Sequence, residues 1–385
     1  GVYYMAYSAR DKITNLLRIC IAASDSPLGP FADITDNAPL EGFSQLKNNT
    51  IDAELFFDND GTAYLYYSND WRQVDTDGNR ISECYVVQLN DDLTGIEGTP
   101  ALVASPDAAW DTLRSPEVDE LCIYNEAPYV YQYLGKYYVF FSGNHFDERQ
   151  YSIGYTVADT PLGPYTKYES NPVLYTEDAW EEISGTGHCS ITPTADGEEL
   201  FIMYHRHYSF IMRGGDRIMA IDRMGFREDG SVYVCGPTQS YQPLPSDSGS
   251  IGNIADQAAL TSDTLQEDAL KLLIDGEFTL HTKFRRYEAD LPNGASCTLA
   301  FTFDTQRSVS AVMVYSSADP SLGLSGCTVC IGDYAAEEME ITYDYNGQGI
   351  LCFEPVDCNQ ITITIDSDDY LATAAAISEI VILGN

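Results

Sequence analysis

Apolar and polar positions alternate in the same way four times within the first 240 residues. GVYYMAYS (1–8), GTAYLYYS (61–68), GKYYVFFS (135–142) and GEELFIMYH (197–205) each set a glycine ahead of an aromatic-rich run, the glycines lying 60, 74 and 62 residues apart. A turn glycine followed by period-two alternation is the pattern of a β-hairpin's second strand. A second stretch also recurs: SDSPLGPF (24–31) and ADTPLGPY (158–165) are 134 residues apart, about two repeat lengths. Pro and Gly there mark a tight bend after a strand. Helical periodicity is almost absent from this region. The pattern predicts one small antiparallel sheet per repeat, at about 1–45, 50–110, 120–175 and 185–243. Sheets repeated at that period stack radially into a β-propeller.

The polar residues that interrupt this pattern also recur. Asp52 lies nine residues before Gly61, Glu126 nine before Gly135 and His188 nine before Gly197. In a propeller the first strand of each blade lines the central axis, so the three side chains are expected to share one register and converge at one end of the channel. A carboxylate at the head of a buried strand is costly unless something uses it. Two carboxylates in an aromatic-lined pocket point to glycoside hydrolysis, one acid protonating the leaving oxygen while another carboxylate activates water. The 28 tyrosines add support only, because most strand tyrosines serve packing.

Composition narrows the partners. A formal net charge of −39 reads as a solvated acidic surface and argues against nucleic acid and anionic membranes. No apolar run reaches the length of a membrane-spanning helix. The ten cysteines are scattered along apparent strands, with one C-x-x-C at Cys327 and Cys330. Strand positions three apart face opposite sides, so most are read as small buried hydrophobes.

IDAELFFDNDGTAYLYYS, NEAPYVYQYLGKYYVFFSG and SGTGHCSI, with the two PLGP segments, resemble in order the motifs of glycoside hydrolase family 43, over residues 1 to about 245. The resemblance implies a five-bladed propeller that hydrolyses glycosidic bonds with inversion, mostly α-L-arabinofuranosyl or β-D-xylosyl linkages of oligo- or polysaccharides. It implies Glu126 as general acid and Asp52 as the carboxylate that tunes and orients it. His188 would sit on the axis, where a metal ion, frequently calcium, is held largely through water. Arg217, in GGDRIMAIDRM, resembles an arginine that reaches the innermost sugar, and reads equally as a strand-end arginine in a surface ion pair. His205 and His207 in MYHRHY are expected to pack at a blade edge.

Two departures from the family matter. Four repeats are visible where five are expected, and the Asp that serves the family as general base has no counterpart. Neither Asp11, Asp25 nor the aspartates of ADITDN (32–37) head an axial strand. The expectation is a first blade upstream of Gly1 that carries the base, with any signal peptide before it. Within the motifs, Ala53 stands where proline is common and Ala127 where glycine often sits. The alternatives are a non-catalytic sugar-binding propeller and a fructan-active relative, against which GTGH argues.

After residue 245 a Ser/Gly-rich stretch, SDSGSIGNIADQ (246–257), reads as a linker. Short alternating strands follow, CTLAFTFD, SVSAVMVYS, GCTVCIGD, QITITID and SEIVILGN, and predict a β-sandwich over 258–385. ALKLLIDGE with FTFDTQRSVSAVMVYSS resembles the galactose-binding-like modules appended to glycan-active enzymes. Such a module either binds carbohydrate, raising local substrate concentration, or buttresses the propeller.

Overall fold

The computed structural model describes residues 1–385 apart from 44–45, 75–79, 114–121, 177–182, 209–215, 250, 279–286 and 344–346. The protein is built almost wholly of strands, as the alternation predicts. The first sheet holds β1 (Tyr3–Arg10), β2 (Leu17–Ser24) and β3 (Ala32–Asp33) in that order. The second holds β4 (Asn49–Phe57), β5 (Ala63–Val74), β6 (Arg80–Leu89) and β7 (Ile96–Ala104). The third holds β8 (Cys122–Tyr133), β9 (Lys136–Gly143), β10 (Ser152–Ala158) and β11 (Thr166–Lys167). A short parallel pairing of β6 with β8 joins these two sheets. The fourth holds β12 (Gly187–Pro193), β13 (Leu200–His207), β14 (Arg217–Phe226) and β15 (Val232–Val234).

The aromatic runs are explained by burial on both faces. On β5, Leu65 and Tyr67 join Ile19, Ile21 and Phe43 in one core. The alternate residues Tyr64 and Tyr66 join Val86, Val139 and Phe141 in another. A strand whose two faces are both covered loses the polar half of its alternation, so GTAYLYYS reads as nearly continuous apolar sequence. The turn glycines work as expected. Leu134 and Gly135, at φ 47° and 76°, connect Tyr133 directly to Lys136. Two consecutive positive-φ residues make the primed turn whose twist suits a tight hairpin.

The chain divides into two compact units, Gly1–Ile191 with Ile202–Ile221, and Thr192–Phe201 with Asp222–Asn385. Among the described residues the second unit contains eight further strands: β16 (Gly252–Asn253), β17 (Ala259–Ser262), β18 (Ala289–Asp290), β19 (Cys297–Ser316), β20 (Gly326–Ile331), β21 (Glu337–Thr342), β22 (Gln348–Ile365) and β23 (Ala376–Gly384). CTLAFTFD and SVSAVMVYS are not separate strands. They form one 20-residue strand, β19, whose register with β22 shifts between Thr302 and Arg307 and again between Val309 and Ala311. Such shifts let one strand turn a corner and serve both layers of a sandwich. Leu299, Phe301, Val312 and Val314 of β19 share a core with Ile361, Ile363, Ile380 and Ile382.

Residues read as linker are hydrogen-bonded. Ser246 N–H donates to Glu199 Oε2 (2.6 Å) and Ala195 N–H to Asp247 Oδ2 (2.9 Å). Just upstream, Tyr241 is gripped through its backbone by Gln348 and Tyr315. Cys327 is buried and Cys330 is not, as opposite faces of a strand require. No helix among the described residues is long and apolar enough to cross a membrane.

Candidate active site

Each axial strand carries a backbone irregularity where the chemistry gathers. On β4 the pairing with β5 passes from Ile51 opposite Ser68 to Glu54 opposite Tyr66, so Asp52 and Ala53 form a bulge. On β8 it passes from Glu126 opposite Ser142 to Tyr129 opposite Phe140, with Ala127 and Pro128 in the bulge. Asp52, Ala127 and His188 lie at φ 52°, 54° and 53°. The structural equivalents are therefore Asp52, Ala127 and His188, and Glu126 stands one residue earlier. The nine-residue count misleads because the hairpins differ in length. Five residues, 58–62, connect Phe57 to Ala63, whereas two connect Tyr133 to Lys136.

The bulges nevertheless bring all three predicted side chains to one place. Asp52, Glu126, His188 and Arg217 line a pocket of ≈ 250 Å³ with Tyr124, His145, Phe146 and Tyr151. A bulge bends its strand and re-aims its side chains, and Asp and His are among the residue types that best tolerate positive φ. Asp52 and His188 also line a second cavity, of ≈ 460 Å³, shared with Tyr7, Glu54 and Tyr129. Burial pushes the Glu54 carboxyl up to about 7.

Serines on the second strands tie neighbouring blades together. Ala127 N–H donates to Ser68 Oγ (2.9 Å), and the Ser68 hydroxyl donates to Asp52 Oδ2 (3.1 Å). One blade further on, His188 N–H donates to Ser142 Oγ (2.8 Å). Glu126 is buried, and its Oε1 accepts from the Tyr151 hydroxyl (2.9 Å).

Arg217 begins β14 and is exposed. Its guanidinium lies 5.0 Å from the Phe146 ring centroid, and Nη1 faces His205 Nε2 at 3.4 Å. Burial first, then the charge of Arg217, lowers the His205 pKa to about 3. His205 is thus neutral, with Nε2 as acceptor and the proton on Nδ1. Its ring stacks on Tyr151 at 5.5 Å and 16°. His205 therefore stands directly behind the pocket. His207 packs as expected, its ring nitrogens meeting Ser184 Oγ and the Phe146 carbonyl.

Tyr124, His145, Phe146 and Tyr151 escape the motif reading. They come from the start of β8 and from the segment between β9 and β10, and nothing in their spacing relates them to the repeat. The described lining of the ≈ 250 Å³ pocket contains two carboxylates, Asp52 and Glu126. The acids early in the chain are engaged locally, Asp11 by Ile13 and Thr14, and Asp33 by Tyr7 and Thr35. Among the described residues no cluster of three His, Cys, Asp or Glu side chains is placed to hold a metal. Calcium favours six to eight oxygens, so the single imidazole of His188 does not make a direct calcium site.

A model of the glycosyl hydrolases family 43 matches residues 1–232. The chain is 28% identical over 230 residues to the β-D-galactofuranosidase xynD of Aspergillus niger, covering 60% of this chain and 58% of that protein. It is 30% identical over 189 residues to the xylosidase/arabinosidase 43A of Humicola insolens, covering 43% of this chain and 53% of that protein. A solved thermostable family-43 glycoside hydrolase superposes with a TM-score of 0.58 at 42% identity, covering 64% of this chain and 75% of that one. The chain thus spans a little over half the length of these two curated relatives.

Proposed function

The chain belongs to glycosyl hydrolase family 43, and from that premise we propose that it hydrolyses α-L-arabinofuranosyl or β-D-xylosyl linkages with inversion, Glu126 acting as general acid. The observation that carries the proposal is the pocket in which Glu126, Asp52 and Arg217 meet. Glu126 protonates the leaving oxygen as the bond to the sugar breaks. Asp52, fixed by Ser68, is the second carboxyl group in the pocket, and its proximity favours the protonated form of Glu126. Arg217, lying over Phe146 and flanked by a neutral His205, offers its remaining N–H donors to sugar hydroxyls. Calcium at the axis belongs to the same proposal, bound mainly through water near His188, and no step is routed through it. These residues supply the acid half of the reaction.

The test uses the protein as its host makes it, with aryl α-L-arabinofuranosides and aryl β-D-xylosides. Glu126→Ala is expected to lose about 10²–10⁴-fold in kcat/KM, most severely for poor leaving groups. Cleavage of either sugar that survives Glu126→Ala unchanged removes Glu126 from the mechanism. Binding of arabinoxylan fragments without cleavage of either glycoside makes the protein a sugar-binding propeller instead, a reading that the two-carboxylate pocket also favours.

A further inference from the structure

The Tyr151 side chain is completely buried, and four features hold it. Its hydroxyl donates to Glu126 Oε1 (2.9 Å). Its ring stacks on His205. The Ser142 hydroxyl hydrogen-bonds it from β9. Gly187 leaves room for it, since a Cβ at that position would lie 1.9 Å from Tyr151 Cε1. Gly187 lies outside the positive-φ region, so its missing side chain serves the ring and not a turn. A Cβ on the other glycine of GTGH, Gly185, would come within 2.3 Å of the His207 ring, but that residue also sits at φ 64°, where glycine is favoured for its backbone. In this motif Gly187 is therefore space for the ring that stands against Glu126.

A carboxylic acid has two oxygens of nearly equal basicity, and an acid catalyst must present its proton from one of them. We propose that Tyr151 is a positioning residue that keeps Oε1 of Glu126 an acceptor and so assigns the transferable proton to Oε2. The proposal rests on the reading of Glu126 as general acid. Burial next to Glu126 and Asp52 raises the phenol well above its ordinary value, so it remains a donor throughout the working range. Donation to Oε1 favours the carboxylate, which offsets the opposite effects of burial and of Asp52. Among the described residues, the titratable groups around Glu126 are Asp52, Cys84, Tyr124, His145, His188 and Arg217 besides Tyr151, with neutral His205 behind the phenol.

Tyr151→Phe keeps the ring and removes the donor. With a glycoside whose poor leaving group needs protonation, kcat/KM is expected to fall about tenfold, the worth of one charge-assisted hydrogen bond. With a dinitrophenyl glycoside, whose leaving group needs no proton, the change stays within about twofold. The alkaline limb of the pH–rate profile moves to higher pH, and so does the carboxyl titration of Glu126 followed by ¹³C NMR in labelled protein. Gly187→Ala, which drives a Cβ into the ring, reproduces the same dependence on leaving group. Equal losses on both glycosides with an unmoved alkaline limb make Tyr151 a packing residue and overturn the proposal. If Glu126→Ala shows no dependence on leaving group, the general-acid reading itself falls. If Glu126→Ala shows it and Tyr151→Phe and Gly187→Ala do not, only the role of Tyr151 falls.

Discussion

The Ser68 hydroxyl accepts the Ala127 N–H and donates to Asp52. Ser68→Ala leaves a buried N–H without its acceptor and a carboxylate without its donor. It is expected to cost about 2 kcal/mol, mostly from the abandoned N–H, as a lower denaturant midpoint with an unchanged m-value. A loss of under half that size would mean that water takes the hydroxyl's place. Residues of this kind are hard to read from sequence. Asp52, Glu126 and His188 announce themselves as polar interruptions of an apolar pattern. Ser68 and Ser142 sit at the ends of GTAYLYYS and GKYYVFFS, where a serine is unremarkable. Tyr151 is hidden more deeply, because its role depends on a glycine 36 positions later in the chain.

At the scale of elements, the sheets and their turns were legible because each depends on residues close together in sequence. The register of the axial strands was not, since it depends on the number of residues spent in each hairpin loop and on one extra residue in each bulge. The same bulge explains a family preference. Ala127 lies at φ 54°, where a Cβ crowds the following carbonyl by about 1–2 kcal/mol. Glycine removes that strain at an entropic cost of about 0.5–1 kcal/mol. Ala127→Gly is therefore expected to stabilise by about 0.5 kcal/mol, measured by urea unfolding, with activity retained. A destabilised Ala127→Gly would mean that its buried methyl group contributes more than its backbone strain costs. In the second unit polar residues separate CTLAFTFD from SVSAVMVYS, yet pairing with β22 resumes at Arg307 opposite Cys358 and makes β19 continuous.

For the whole molecule, acidity is both a surface property and an internal one. Glu54 faces the ≈ 460 Å³ cavity with its carboxyl pushed up to about 7 by burial, against an ordinary value of 4.5. Between those two values the unfolded chain has lost this proton and the folded one keeps it, so stability falls as pH rises from 4.5 to about 7. Glu54→Gln removes this contribution, and its thermal midpoint is expected to vary less over that window than the parent's. Parallel pH curves for the two proteins would place the carboxyl in contact with water after all. Within the second unit, Gln348 and Tyr315 grip the Tyr241 backbone and Arg227 pairs with Glu277.

The serine seams have a further consequence for recombination among relatives. A blade exchanged whole between two family members keeps its own sheet but severs the hydroxyl contacts that reach the next blade's axial strand, from Ser68 to Ala127 and from Ser142 to His188. The crossover points that spare these two contacts therefore lie inside a blade, in the hairpin between its first and second strands. A fragment cut there keeps each serine in the same parental piece as the next blade's axial strand, although it parts Ser68 from Asp52 or Glu126 from Tyr151. Chimeras joined in the 58–62 or 134–135 loops should then inherit intact serine seams more often than chimeras joined between sheets.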